Sequence, residues 1–459
     1  MSKTVQSAMG FAKEIFTQLD AHWKGAEEGI LRPAYSDEET HGINLISAAA
    51  SEMKMEAYQD LAGNAFFIYP GRNRALPVFM AGSHMDAVPK GGRYDGPAGI
   101  VGPLSAVRML HTQGITPEQD TVVTAFRGEE SAWFKKAYLG SAFACGNLDP
   151  SAFDLKRKFT GETLKAQMDT IGLDTSALMQ KLNAGERLLP VEKIGSFIET
   201  HIEQGYTLNQ SGNDLGIVTA IRGNTRCPDM ITFYGIAAHS GSTPQLDRRD
   251  AAFGAMRFGT TLEDEFIKMQ ERYDMAFSAP EINTIDGSPT TIPKQCDVRL
   301  EVRSLDIEAL KVVRDMMKDM AELIAQKRGL SLGDNVNNIV ISKPAFLNTA
   351  LAQRILQASE KLGISSSKMY SGAGHDAKVI SEHVPTSMIF IAHGNEGLSH
   401  NPVEIMAPNK KDDPFDLKGS FCKAVQVNRA MMLEPTMRPI SVGDMSFIDE
   451  LQNNGAQPL

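Results

Sequence analysis

The sequence predicts an α/β protein in which a layered sheet domain is interrupted by a smaller α+β domain. From about residue 40 to residue 220, strand-like and helical segments alternate, and this pattern favours parallel strands with helices packed on the faces of the sheet. Around residues 216–223 the chain enters a second unit, and near residues 339–343 it returns to the first. The predicted domains are residues 1–221 with 340–459, and residues 222–339.

The individual elements follow from the spacing of apolar residues. The segment Ala8–Trp23 has apolar residues at helical spacing and predicts an N-terminal helix, whereas the polar tail after Thr436 is expected to be loosely held. Residues 154–189 are mostly helical and polar in pattern, and we interpret them as an insertion in the first domain. For the second domain, the pattern predicts strands at Met230–Tyr234 and Val298–Ser304 and helices at Arg249–Tyr273 and Ile307–Lys327.

Composition restricts the classes of function. A formal net charge of -10 and a hydrophobic fraction of 42% suit a soluble protein and argue against a nucleic-acid-binding surface. Four irregularly placed cysteines indicate reduced thiols. The N-terminus lacks the apolar core of a secretion signal, and no apolar run is long enough to span a bilayer. We therefore expect a cytoplasmic protein with neither a nucleic-acid nor a membrane partner.

A first group of metal-ligand candidates follows the apolar run Leu76–Met80, which has the length of a buried strand. His84 lies where that strand should end. Asp86 can accept the far ring N–H of His84, which leaves the other ring nitrogen free for a metal. Asp95 lies in a glycine-rich loop just before the predicted helix Ile100–Leu110, where its carboxylate could bridge two ions. Alternatively, Asp95 could cap that helix or shape the turn.

A second group consists of two adjacent glutamates. The β-branched stretch Thr121–Phe126 is typical of a strand and is stopped by Gly128. Because neighbouring side chains on a strand face opposite ways, Glu129 and Glu130 can serve one site only where the strand has already ended. The chemistry then favours Glu130 as a ligand and Glu129 as a general base that takes a proton from the attacking water. Paired glutamates are also common on solvated turns.

Two histidines complete the set. If its segment is extended, His201 shares one face with Glu199 and Glu203, and His400 follows the strand candidate Ser387–Ala392. Either histidine alone is more typical of a structural group than of a ligand. Together with the carboxylates they form the donor set that a pair of divalent cations prefers, with one carboxylate shared between the ions. The sequence therefore indicates a metal-dependent hydrolase.

These residues lie within seven short motifs, and the resemblance that they carry runs in order from about residue 30 to residue 433. The motifs are Gly82-Ser83-His84-Met85-Asp86, Gly92-Arg93-Tyr94-Asp95-Gly96, Glu129-Glu130, His201-Ile202-Glu203-Gln204-Gly205, Ala238-His239-Ser240-Gly241-Ser242-Thr243-Pro244, Ser371-Gly372-Ala373-Gly374-His375-Asp376-Ala377 and Ser399-His400-Asn401-Pro402. In this order they resemble the group of N-carbamoyl-L-amino acid hydrolases, β-ureidopropionases and allantoate amidohydrolases, the amidase branch of the M20 metallopeptidase superfamily. The resemblance implies a metallopeptidase-like catalytic domain with a layered mixed sheet, and an inserted lid and dimerisation domain.

The resemblance also implies roles for individual residues. One metal ion is expected on His84, Asp95 and His201, and the other on Asp95, Glu130 and His400. Glu129 would be the base, with Asp86 also in the catalytic group, and Gln204 would touch the scissile amide. His239 would reach across from the partner subunit of a homodimer to polarise the carbonyl oxygen, or else it has only a capping role in a small-residue turn. Zinc is the expected metal, and manganese or cobalt would fit similar donors.

Departures from the family pattern are concentrated where substrate is recognised. They are Ile236 and Ala238 before the histidine of the fifth motif, Gln245 after its Thr-Pro, and Thr290 at a position where relatives have asparagine. In relatives, that asparagine and an arginine, here Arg303, bind the carboxylate of the amino acid. A threonine hydroxyl cannot offer the two donors of an amide, so the acid end of the substrate is either held differently or absent. The expected substrate contacts are Gln204, Thr290, Arg303 and His375.

The predicted function is hydrolysis of a linear amide or ureido C–N bond in a small molecule, such as an N-carbamoyl amino acid or a related compound. An aminoacylase or dipeptidase would share every metal ligand and differ only in the acyl group. A third alternative is a dimeric ligand-binding protein that has lost catalysis. Glu129 argues against this third alternative, because a binding protein needs no base at that position.

Overall fold

The computed structural model describes residues 3–22, 29–394, 397–406, 412–438 and 445–459. The chain divides into two compact units. The first comprises the described residues of Met1–Thr219, Leu347–Tyr370 and Gly374–Leu459, and the second comprises Ala220–Phe346 and Ser371–Ala373. The predicted boundaries differ from this division after residue 339, because the short strand at Val340–Ser342 pairs within the second unit.

Strands contribute to both units. In chain order they are β1 (Glu56–Gln59), β2 (Ala65–Tyr69), β3 (Val78–His84), β4 (Thr121–Phe126), β5 (Ile194–Ile202), β6 (Leu215–Ile221), β7 (Gly223–Arg226), β8 (Ile231–Tyr234), β9 (Ala238–His239), β10 (Met275–Ile285), β11 (Thr291–Ile292), β12 (Gln295–Ser304), β13 (Ser331–Leu332), β14 (Val340–Ser342), β15 (Ala345–Phe346), β16 (Ser366–Ser371), β17 (Thr386–Ile391) and β18 (Gln457–Pro458). Short 3-10 helices lie at Pro150–Asp154, Val191–Lys193, Gln245–Asp247 and Asp334–Asn338.

The α-helices cover the sheets. They are α1 (Lys3–His22), α2 (Asp37–Glu52), α3 (Pro97–Gln113), α4 (Ser131–Phe134), α5 (Leu139–Ala144), α6 (Leu164–Thr170), α7 (Thr175–Asn183), α8 (Thr207–Ser211), α9 (Ala251–Met269), α10 (Ile307–Arg328), α11 (Thr349–Lys361), α12 (Asp376–Ile380), α13 (Ser420–Met432) and α14 (Phe447–Asn453). Helix α1 covers most of the predicted N-terminal helix, and Trp23 lies outside the described residues. None of the described helices is long and apolar enough to cross a membrane.

The larger sheet is mixed, as predicted, and its centre is parallel. Within the described residues it has ten strands in the order β15-β6-β17-β5-β3-β4-β2-β1-β18, with β16 paired to β6. Strands β17, β5, β3 and β4 run parallel, while the strands outside them join antiparallel. All residues of β3, β4, β5 and β17 are buried, as expected for strands covered on both faces. Because parallel strands end at the same edge, residues distant in sequence meet there.

The C-terminal tail corrects one prediction. Residues 447–458, expected to be loosely held, form helix α14 and strand β18, and β18 pairs antiparallel with β1. Ser446 and Asp449 close a capping box at the start of α14. Phe447 is buried and its ring packs edge-on against Phe66, with 6.4 Å between centroids. The apolar face of this short helix was not recognised from the sequence, because it contains few apolar residues and is flanked by polar ones.

The second unit has its own sheet and core. Its strands are ordered β13-β8-β12-β7-β14, with β10 also paired to β12, while β9 and β11 form a separate two-stranded ribbon. Helices α9 and α10 pack on this sheet and share its apolar core. The predicted strands and helices of this unit are present. Strand β10 was not predicted, because its second half is exposed and lacks a buried apolar face.

Candidate metal centre

The ends of the four parallel strands bring the predicted ligands together. His84 is the last residue of β3, and His201 lies one residue before the end of β5. Glu129 and Glu130 lie just beyond the end of β4, and His400 lies in the loop that follows β17. Residues far apart in the sequence thus meet at one edge of the sheet. The convergence depends on the topology, because parallel neighbours deliver their carboxyl ends to one edge.

Asp95 lies at the centre of this group. Its Oδ1 atom is 3.6 Å from Nε2 of His84 and 3.2 Å from Nε2 of His201. Its Oδ2 atom is 3.3 Å from Nε2 of His400, and that nitrogen is also 3.3 Å from Oε1 of Glu130. Asp95 does not cap helix α3, because the N-cap is Gly96 and makes no side-chain cap. The alternative interpretation of Asp95 as a helix cap is therefore wrong.

The donors fit two divalent cations that share Asp95. One group of candidate ligand atoms comprises His84, Asp95 and His201, and a second comprises Asp95, Glu130 and His400, with all atoms of each group within 4.8 Å of one another. Oδ1 of Asp95 and Nε2 of His201 are buried and make no hydrogen bond within the described residues. Buried polar atoms that make no hydrogen bond are costly, and metal coordination would satisfy both.

Backbone carbonyl oxygens fix the orientation of the two buried imidazoles. Nδ1 of His84 lies 3.1 Å from the carbonyl oxygen of Asp86, and Nδ1 of His201 lies 2.9 Å from the carbonyl oxygen of Ile202. An Nδ1–H that donates to a carbonyl presents Nε2 as the ligand atom. The Asp86 carboxylate was predicted for this role, but its nearest oxygen is 3.4 Å from His84 Nδ1, farther than the carbonyl.

The Asp86 carboxylate instead holds the two glutamates. Its Oδ1 accepts the backbone amide of Glu129 at 3.0 Å, and its Oδ2 accepts that of Glu130 at 3.1 Å. Asp86 therefore contributes to the centre by positioning the backbone of Glu129 and Glu130. Burial raises the pKa of Glu129 well above its ordinary value, and the nearby carboxylates of Glu130 and Asp376 raise it further, against an opposing effect of His84. A raised pKa suits a group that must accept and return a proton near neutral pH.

Three neighbours of Asp95 were not assigned to it from the sequence. Oε1 of Glu404 accepts the backbone amides of Tyr94 and Asp95 at 2.7 and 3.0 Å, and burial raises the pKa of Glu404 to about 8. The Ser399 hydroxyl donates to Asp95 Oδ2 at 2.9 Å. Gln204, expected at the scissile amide, donates its amide nitrogen to the same oxygen at 2.7 Å. The proximity of Ser399 and Glu404 to His400 in sequence was the available signal.

Both Gln204 and His400 have a left-handed backbone, with φ of +54°. This conformation is uncommon outside glycine. Glu203, predicted on the same face as His201, turns away because β5 ends at Ile202. Its carboxylate accepts the amides of Thr207 at 2.6 Å and of the next residue at 2.9 Å, at the start of α8.

A layer of buried polar groups lies behind the candidate ligands. The ring of His375 meets that of His201 edge-on at 4.5 Å between centroids. Glu199 accepts the hydroxyl of Ser83 and the amide of Ala377, both at 2.7 Å. Burial and the charge of Glu199 raise the pKa of Asp376 to about 8. The substrate contact predicted for His375 stays a prediction.

The remaining predicted residues lie in the second unit. His239 is exposed in β9, and its Nδ1 accepts the backbone amide of Gly241 at 3.1 Å. Thr290 is exposed on the loop that leads into β11. Arg303, in β12, donates to the carbonyl oxygen of Gly372 at 2.5 Å and lies 3.1 Å from the Glu301 carboxylate. The roles of His239, Thr290 and Arg303 stay predictions.

Comparison with known proteins now decides the family. The sequence pattern of peptidase family M20/M25/M40 matches residues 80–412, which is most of the chain. The chain belongs to this family. The resemblance to the M20 amidases predicted from the motifs is thereby confirmed.

Two relatives of this M20 protein are named as amidohydrolases, and a similar solved structure is named as an amidase. The M20 protein is 29% identical to the N-carbamoyl-L-amino acid amidohydrolase of Geobacillus stearothermophilus over 376 residues, which cover 82% of this chain and 88% of that protein. It is 28% identical to the allantoate amidohydrolase of Escherichia coli K12 over 378 residues, with the same two coverages. The crystal structure of a hydantoinase/carbamoylase family amidase from Burkholderia multivorans matches with a TM-score of 0.76 and 28% identity, covering 93% of this chain and 98% of that one. These findings support a metal-binding hydrolase.

We expect Asp95→Asn to remove both metal ions and Glu130→Gln to weaken only one. A side-chain amide in place of the Asp95 carboxylate would be a poor bridge, whereas Glu130 belongs to only one of the two ligand groups that share Asp95. Metals per chain after dialysis would be measured by elemental analysis. Glu203→Gln is the matched control, because this carboxylate holds the start of α8. Equal metal content in Asp95→Asn and the control would exclude the shared carboxylate.

Metal binding should release protons. Burial alone would lower the pKa of His84, but its contacts with Asp86 and Asp95 outweigh burial and hold that pKa well above its ordinary value. Contacts with Asp95 and Glu130 likewise outweigh burial at His400 and raise its pKa to about 11. These imidazoles carry a proton at pH 7 without metal, and a ligand imidazole must lose it, so the affinity should fall as the pH falls. Calorimetric titration in buffers of different ionisation enthalpy measures the release, and a binding heat independent of buffer would contradict it.

Proposed function

We propose that this M20 protein hydrolyses a linear amide or ureido C–N bond in a small molecule, using Glu129 as the general base beside two divalent cations. The observation that carries the proposal is the position of Asp95, which three imidazole nitrogens approach within 3.6 Å. A buried glutamate that belongs to neither of the two ligand groups sharing Asp95 lies next to this arrangement. Zinc is the proposed metal, and manganese or cobalt suits the same nitrogen and oxygen donors.

Each residue of the centre has a proposed task. When bound, the cations supply positive charge that polarises a carbonyl and lowers the pKa of water. Glu129 accepts the proton of the attacking water and later delivers it to the leaving nitrogen. The Asp86 carboxylate holds the backbone amides of both glutamates, so the base keeps its place during both transfers. The carbonyl oxygens of Asp86 and Ile202 keep His84 and His201 turned towards Asp95.

The substrate class is proposed as an N-carbamoyl amino acid or a related ureido compound. The curated relatives reported above are named for N-carbamoyl-L-amino acids and for allantoate, both of which carry a ureido group and a carboxylate. A guanidinium suits a carboxylate, and we propose Arg303 and Thr290 as contacts for that end. For His239 we keep the proposal of a carbonyl contact supplied by the partner subunit of a homodimer. Its exposure leaves the ring available for such a contact.

We expect Glu129→Gln to keep its metal and lose turnover. A glutamine has the same shape but accepts no proton, and loss of general base catalysis typically costs about 10²- to 10⁴-fold. The measurements are kcat on the best substrate and metals per chain. Glu118→Gln is the matched control, since this exposed glutamate pairs with Arg72 at 2.9 Å. Turnover equal to that of the control would eliminate Glu129 as the base.

A substrate panel tests the bond that is cleaved. We expect hydrolysis of N-carbamoyl amino acids or allantoate, with ammonia released, because these carry the ureido group on which the relatives act. N-acyl amino acids and dipeptides belong in the same panel. Preference for either of these would reassign the protein to an aminoacylase or dipeptidase. If the metal-loaded protein cleaved no member of the panel, the proposal of an amidohydrolase would be overturned.

A further inference from the structure

The turn that carries Glu129 and Glu130 contacts a buried ion pair that the proposed mechanism does not use. The carboxylate of Glu39 and the guanidinium of Arg127 lie 2.9 Å apart, with side-chain exposures of 0% and 1%. We propose that Glu39 is a positioning residue, which together with Arg127 fixes the backbone of residues 127–130 so that Glu129 and Glu130 face the metal centre. This inference rests on the proposed function and explains how the positions of Glu129 and Glu130 are maintained.

Side chains bind every backbone amide of this turn. The Arg127 amide donates to Asn64 Oδ1 at 3.1 Å, the Gly128 amide to Glu39 Oε1 at 3.0 Å, and the Glu129 and Glu130 amides to the two Asp86 oxygens at 3.0 and 3.1 Å. Strand β4 has ended, so no neighbouring strand supplies these acceptors. Four consecutive amides held by buried side chains leave the turn little freedom. Glu39 binds the amide of Gly128, whereas Asp86 binds the amides of Glu129 and Glu130 themselves. Glu39 therefore acts one residue before the two glutamates.

The carbonyl groups and the Arg127 side chain close the turn from the other side. The carbonyl oxygens of residues 127, 128 and 129 accept the amides of residues 140, 139 and 138 at 2.8 to 2.9 Å. Nε of Arg127 donates to the carbonyl oxygen of Gly63 at 2.7 Å, and its Nη2 donates to the hydroxyl of Thr40 at 3.0 Å. Glu39 therefore binds the turn twice, through the Gly128 amide and through the Arg127 guanidinium.

The position of Glu39 in helix α2 argues that the contact is more than a helix cap. Glu39 is the third residue after the N-cap Ser36, where a glutamate commonly returns to the amide of the N-cap itself. Here its Oε2 accepts the amide of Tyr35 at 2.7 Å and its Oε1 accepts Gly128. A buried ion pair is also a weak source of stability, because desolvation offsets the attraction. Both facts favour a positioning role.

The space at Gly128 adds a constraint. Its φ is +61°, and a Cβ atom there would lie 2.9 Å from a ring carbon of Tyr35. The turn is thus pressed against the same residue whose amide Glu39 binds. Contacts from α2 and from the preceding loop therefore meet at the peptide just before Glu129. A displacement of about 1 Å at such a point can cost on the order of 100-fold in rate.

The test compares Glu39→Gln with Glu38→Gln, which makes the same chemical change at a half-exposed position of the same helix. We expect Glu39→Gln to lower kcat by about 10- to 100-fold with KM little changed, well below its melting temperature. We also expect faster hydrogen exchange at the amides of residues 128–130, and easier removal of one metal ion by a chelator. Exchange, metal retention and kcat all equal to those of Glu38→Gln would overturn the proposal.

A second variant covers the outcome in which Glu39→Gln does not fold. Glu39→Asp keeps the charge beside Arg127 but is one methylene shorter, so it cannot reach both the Gly128 and Tyr35 amides. We expect it to fold, with faster exchange at residue 128 and lower kcat. Wild-type exchange and kcat in this variant would also overturn the proposal. Because exchange and chelation need no substrate, they test Glu39 even if no amide in the panel is cleaved.

Discussion

The structure of the first unit depends on one electrostatic constraint, the gathering of acidic groups around Asp95. Asp95, Glu129, Glu130, Glu404 and Asp86 are all buried, each at 8% exposure or less. Removing so many carboxylates from water is unfavourable unless positive charge is close. Three imidazoles provide part of it, and their protons are what hold the pKa of Asp95 far below its ordinary value against the effect of burial. Cations can replace those protons at the same place, and this possibility distinguishes the candidate metal centre from an ordinary polar core.

The candidate ligands were predictable because each lies in a short segment with its own chemical signature. His84, Asp95 and the adjacent glutamates stand beside glycines or at strand ends, and local spacing exposes such positions. The contacts that support them were less visible. The carboxylates of Asp86 and Glu404 bind backbone amides. Because almost every residue has a backbone amide, the sequence does not indicate which one a carboxylate will bind. Glu203 was misplaced because alternation continued one residue past the true end of β5.

The fold also contains features that the local sequence predicts and features that depend on contacts between distant segments. Alternating strands and helices predicted the parallel centre of the large sheet, since a helix is the usual connection between parallel neighbours. Of the strands outside this centre, β15 and β18 are only two residues long, and pairing partners can be far away in sequence: β1 meets β18 across almost the whole chain. Burial of Phe447 against Phe66 is likewise a tertiary event. Helix α14 is too short to be recognised without it.

The left-handed backbone at Gln204 and His400 has a structural consequence for sequence variation. The side chains of both residues reach Oδ2 of Asp95, and both backbones occupy a region that glycine adopts at no steric cost. Glycine would relax each peptide by about 1 kcal/mol but would remove the donor or the ligand. The strained backbone is therefore kept at the two positions where a glycine would remove a side chain that contacts Asp95. The chain tolerates strain in its backbone so that two side chains can approach one oxygen.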